Sequence, residues 1–100
     1  MLTTKTLQEN LAHCIGRKTV YVENGIIYHF GTPILHVTDN AVIMTRAYDY
    51  SASTSRVRNA ALRLLSGMEN IPTTQELRKA ELNGEILNCG SYKIFFEWWS

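Results

Sequence analysis

The chain has 100 residues, 45% of them apolar and 19% charged, with ten Lys and Arg against nine Asp and Glu. This is the length and composition of one globular domain. It excludes a disordered chain, a long apolar membrane span and, at a formal charge of +1, bulk attraction to nucleic acid or an acidic membrane surface.

The opening MLTTKTLQENLAHC lacks the charged region, apolar stretch and small-residue cleavage site of a secretory signal, so secretion is not expected. Thr6 followed by Glu9 reads as a capping box, and Leu7, Leu11, Cys14 and Ile15 recur at helical spacing before Gly16. A short amphipathic helix over 6–15 is predicted. Cys14 and Cys89 are too few for a disulfide framework and too far apart for a CxxC half-site; both are expected as reduced packing residues.

Four apolar segments follow: TVYVE, IIYHF, ILHVT and AVIMT. Asn24-Gly25, Gly31-Thr32-Pro33 and Asp39-Asn40 separate them, which predicts a four-stranded antiparallel meander. Asn24-Gly25 suits a two-residue turn because both residues accept positive φ, and that turn pairs Val22 with Ile27 and Tyr21 with Tyr28. Alternation then sends Val20, Val22, Ile27 and His29 to one face and Tyr21, Tyr28 and Phe30 to the other. Large apolar groups on both faces imply a second covering surface, and a homodimer is one way to supply it.

Residues 48–65, YDYSASTSRVRNAALRLL, run from tyrosines and hydroxyls into an amphipathic helix. Ser53 or Thr54 is expected to cap it, with Val57, Ala60, Ala61, Leu64 and Leu65 inward and Arg56, Asn59 and Arg63 outward. Thr73 and Glu76 form a second capping box opening TQELRKAEL, which Asn83-Gly84 ends; a hairpin pairing KAEL with EILN is the alternative. The terminal YKIFFEWW reads as a strand, paired with EILNC through Gly90-Ser91. The fold expected is α+β: an N-terminal helix, the four-stranded meander, a central amphipathic helix and a C-terminal strand or hairpin.

Charge is unevenly spread. Arg46, Arg56, Arg58 and Arg63 face Asp49 alone in residues 46–63, whereas Glu69, Glu76, Glu81, Glu85 and Glu97 lie in the final third. The leading candidate site is the start of the central helix. Backbone N–H groups at a helix N-terminus attract anions, so Ser51, Ser53, Thr54, Ser55, Arg56 and Arg58 form a candidate anion site, with Tyr48 or Tyr50 stacking on a base or sugar. Ordinary capping uses the same residue types, and neither GxxxxGK[ST] nor GxGxxG is present. A protein contact through Arg56, Asn59, Arg63 and Trp99 is the competing use of this helix, because Arg and Trp dominate interface hot spots.

Other chemistry finds less support. His29 and His36 would share a face as diagonal neighbours if Phe30 to Pro33 formed a four-residue connection, and a connection one residue different separates them. A metal site would still need a further ligand, for which Cys14, Asp39 and Asp49 qualify by type alone; no metal or cofactor is expected. Strand histidines between apolar residues are expected instead as part-buried side chains with one hydrogen-bond partner. Cys14 beside His13 on a helix projects about 100° away from it, no GxSxG surrounds any serine, and no paired carboxylates converge in sequence. A non-catalytic binding protein is the expectation.

NGIIYHFGTPILHV followed by YDYSASTSRVRNAALRLL resembles a group of short phage-encoded proteins, in which a tyrosine, a serine, a threonine pair, a basic residue and an asparagine recur. The resemblance covers about half the chain. Ser53-Thr54 stands where paired threonines are usual, and Val57-Arg58 where a histidine often follows the basic residue. The resemblance implies a setting, the cytoplasm of an infected bacterium, and a role in binding a host or phage protein, as in counter-defence or host takeover. Nucleotide or nucleic-acid binding is the second expectation, with no membrane involved.

Overall fold

The structure, a computed structural model, describes residues 9–10 and 19–98. Glu9 and Asn10 are helical. The rest of the helix expected over 6–15, with His13 and Cys14, lies outside the described residues, and so does Trp99.

The meander forms as β1 (Val20–Glu23), β2 (Ile26–His29), β3 (Thr32–Val37) and β4 (Ala41–Met44), each antiparallel to the next. Asn24 and Gly25 both take positive φ, 53° and 78°, and the register is the one their turn dictates: Val22 opposite Ile27 and Tyr21 opposite Tyr28. The second turn is shorter than its sequence suggests. Phe30 and Gly31, at φ 51° and 77°, make a two-residue hairpin, and Thr32 and Pro33 begin β3. Pro33, which has no N–H, is tolerated inside a sheet because it adjoins an irregularity: Ile27 pairs with Leu35 and Tyr28 with Pro33, leaving Ile34 as an extra residue. The bulge lets Ile34 and Leu35, adjacent in sequence, both bury themselves completely.

That geometry separates the two strand histidines. His29 pairs with Thr32 on the inner face, whereas His36 pairs with Ile26 on the outer face, so they share no site. Among the described residues no three His, Cys, Asp or Glu gather as a metal site.

Two helices follow, α1 (Ala52–Ser66) and α2 (Thr74–Asn83). Ser51, upstream of both expected caps, is the N-cap of α1: its backbone is extended and its Oγ accepts from the Thr54 N–H at 3.2 Å. Gly67 closes the helix in the left-handed region, donating to the Arg63 carbonyl. Val57, Ala61 and Leu62 are fully buried, with Ala60, Leu64 and Leu65 at the flank of the same stripe. Helix α2 has the predicted capping box, with reciprocal bonds between Thr73 and Glu76, and ends at Gly84. It is a helix rather than half of a hairpin.

The C-terminal hairpin, β5 (Leu87–Cys89) and β6 (Tyr92–Phe96), turns at Gly90-Ser91 as expected but docks in an unexpected place. β6 lies parallel to β4, with Val42 opposite Ile94 and Met44 opposite Phe96. The result is one six-stranded mixed sheet in the order β1-β2-β3-β4-β6-β5. Both helices pack on one face, where Val20, Ile27, Leu35, Val42, Met44, Ile94 and Phe96 meet Val57, Ala61, Leu62, Leu77 and Ala80. Cys89 is a buried free thiol in this core. No described helix is long and apolar enough to cross a membrane.

Candidate functional site

A cavity of about 320 Å³ opens where the β2–β3 turn meets the start of α1. His29, Phe30, Thr32 and Ile34 form one wall, Ala47 and Tyr50 come from the loop after β4, and Ser51, Ser53 and Thr54 close the other side. This lies at the small end of the range for ligand pockets. Two consecutive turns deliver the loop residues, with Tyr48 N–H donating to the Thr45 carbonyl and Tyr50 N–H to the Ala47 carbonyl. Thr45 anchors those turns to the β3 bulge through its hydroxyl, which donates to the Pro33 carbonyl at 2.7 Å.

The inner end of the cavity is a chain of polar side chains. His29 Nδ1 lies 3.2 Å from Thr54 Oγ1, which lies 3.1 Å from Ser51 Oγ. Thr54 is 3% exposed and His29 6%. Burial depresses the His29 pKa below its ordinary value, because the charged imidazolium loses hydration there. Nδ1 is occupied by Thr54, whereas Nε2 has no hydrogen-bond partner among the described residues. The mouth is aromatic: Phe30 is 72% exposed and Tyr50 84%. A hydroxyl bonded to an imidazole is half of a nucleophile–base arrangement, but here the hydroxyl is buried and no carboxylate meets Nε2 among the described residues.

The residues singled out from sequence divide among three environments. Tyr50, Ser51, Ser53 and Thr54 line the cavity. Tyr48 turns away from it: its hydroxyl donates to Glu81 Oε1 at 2.6 Å, and its ring packs edge-on against Phe96. Burial and then the Glu81 carboxylate raise the Tyr48 pKa well above the usual phenol value.

Arg58 goes furthest from its expected role. It is completely buried and binds the Tyr48 carbonyl at 3.1 Å, Thr74 Oγ1 at 2.7 Å and Asn59 Oδ1 at 2.9 Å. It therefore joins the loop after β4, α1 and the first turn of α2, and is not available to a ligand. Desolvation lowers its pKa. Asn59 is committed to the same cluster, and Ser55 lies half-buried at its edge.

Arg56 and Arg63 are exposed on α1, and Arg63 reaches the Glu69 carbonyl. Neither lines the cavity. Asp49, the nearest acid in sequence, pairs with Arg78 at 2.7 Å. Phe30, Thr32, Ile34 and Ala47 carried no sequence signal as site residues, and His29 was legible only as a part-buried strand histidine with one partner. Their contribution comes from strand register and from contacts about a quarter of the chain apart.

Comparison with family models, with curated proteins and with solved structures finds no match to this chain.

Proposed function

We propose that the protein is a non-catalytic binding protein whose contact site is the cavity between the β2–β3 turn and the start of α1. One observation carries this reading: a nearly buried imidazole, held at Nδ1 by Thr54, lines a cavity rimmed by two solvent-exposed aromatic rings. Exposed Phe and Tyr side chains forgo the burial that would stabilise them, and beside a concave polar wall they supply stacking and apolar contact to a ligand. In the setting that the phage resemblance implies, such a protein sequesters or senses a small ligand in the infected cell.

The test is titration of the full chain with a panel of nucleotides, nucleosides and small aromatic acids, read by amide chemical shifts and by thermal stabilisation. Binding at this cavity shifts Thr54, Tyr50 and Thr32, and Tyr50→Ala weakens it about tenfold, the scale of one lost stacking contact. A panel that leaves those resonances unmoved rejects the reading.

A protein contact is the second reading. Exposed Arg56 and Arg63, two turns apart on α1, favour it. It would use the helix flank rather than the cavity, so Arg56→Ala with Arg63→Ala would abolish it where Tyr50→Ala would not.

A further inference from the structure

We infer that Phe30 is the specificity-determining contact of the cavity, a fixed aromatic platform on which an uncharged planar ring stacks with its polar edge toward the hydroxyl wall. The inference rests on the binding reading above and assigns its ligand class and its principal contact.

The backbone at this position disfavours a phenylalanine. Among the described residues two non-glycine side chains sit at left-handed φ, Asn24 at 53° and Phe30 at 51°, and each is followed by a glycine in a two-residue hairpin turn. Asn24-Gly25 is what such a turn selects, since asparagine tolerates the left-handed region far better than a bulky ring does. The two turns thus set the same conformational demand. The one outside the cavity meets it with the residue that backbone sterics favour; the one that lines the cavity does not. Burial offers no compensation, because Phe30 remains 72% exposed. A side chain unfavourable both to its backbone and to its hydration, placed at the mouth of a cavity, is the form in which strain is kept at a contact site.

Phe30 is also held in place. Its N–H donates to the Thr19 carbonyl at 2.8 Å, and its ring packs against the His29 imidazole with centroids 4.6 Å apart and planes inclined at 52°. His29 is anchored in turn at Nδ1 by Thr54, so a hydrogen bond to α1 fixes the ring that backs the platform. An aromatic ring fixed before binding loses little side-chain freedom when a ligand stacks on it. The rest of the wall selects what stacks. Tyr50 supplies a second ring, Ile34 and Ala47 supply apolar contact, and the hydroxyls of Thr32 and Ser53, each both donor and acceptor, suit the edge of a neutral heterocycle or amide. A volume of about 320 Å³ suits one ring system with a short substituent rather than an extended ligand.

The experiment titrates the full chain with benzamide and cyclohexanecarboxamide, which share an uncharged amide and differ in a flat against a puckered ring, and with adenine as a planar heterocycle. Binding is read from the amide shifts of Thr32, Tyr50 and Thr54, and folding from the thermal unfolding midpoint of the unliganded protein. The expected result is that benzamide and adenine bind at least about tenfold tighter than cyclohexanecarboxamide, the scale of one stacking contact. Phe30→Asn removes that preference yet raises the unfolding midpoint, because asparagine fits the left-handed turn position. Phe30→Tyr keeps the preference. A ring that serves only the fold gives the opposite pattern. A midpoint lowered by Phe30→Asn, a preference that survives it, or equal binding of the flat and puckered amides overturns the inference and leaves the cavity reading intact. Absence of any shift at the three amides with all three compounds overturns both.

Discussion

Arg58 places a guanidinium in the interior with no carboxylate bonded to it among the described residues. Five N–H donors in a planar fork allow this, because separate edges reach the Tyr48 carbonyl, the Thr74 hydroxyl and the Asn59 amide oxygen. An unpaired buried charge would be prohibitive; neutral oxygens aimed at each edge make it tolerable. Removing it strands those oxygens, so Arg58→Met is expected to destabilise the protein by about 3 kcal/mol. Arg58→Lys should recover little of that, since a single ammonium cannot span the same three partners. Urea denaturation with an unchanged m-value checks both, and a loss under about 1 kcal/mol would contradict this account of the site. Sequence showed that an arginine stood two turns into a capped helix. It did not show which way that arginine faced, because Arg58 interrupts an apolar stripe and its partners lie 10 and 16 residues away.

At the scale of elements, turn chemistry was the most legible feature. Asn24-Gly25, the Thr73–Glu76 box, Gly67 and Gly84 act within a few residues of themselves, and each does in the fold what its sequence neighbourhood requires. Gly25 has a further constraint that comes only from β3. A Cβ there would sit 2.7 Å from the Val37 carbonyl oxygen, while Val37 N–H donates to the Gly25 carbonyl at 2.7 Å. Gly31 has the same positive φ but open space around it. Gly31→Ala should thus cost about 1 kcal/mol for backbone strain alone, and Gly25→Ala at least about 1 kcal/mol more for the collision. Equal midpoints for the two variants in thermal unfolding would show that the close approach carries no energy. The β2–β3 turn was misplaced from sequence for a related reason: Pro33 signals a turn locally, and only the bulge at Ile34 makes it acceptable inside the sheet.

For the molecule as a whole, the decisive contact is between β4 and β6, separated in sequence by both helices. It converts a four-stranded meander and a distant hairpin into one sheet and places Ile94 and Phe96 at the centre of the core. A chain ending before Tyr92 should therefore lose cooperative unfolding altogether, since β4 would be left as an edge and the core would lack Tyr92, Ile94 and Phe96, three of its large side chains. A sharp urea transition in that truncation would refute the integral role of β6. Alternation and local turn chemistry determined the inward faces of β1 and β2, the turn at Asn24-Gly25, the Thr73–Glu76 cap and the α+β class, because those depend on the chain's own periodicity and near neighbours. Tertiary structure alone decided that β6 enters the sheet beside β4, that Arg58 faces inward, and that His29, Phe30 and Tyr50 share one cavity with the hydroxyls that open α1. Those outcomes depend on which distant surfaces pack together, and the spacing of residues along a chain carries no record of that.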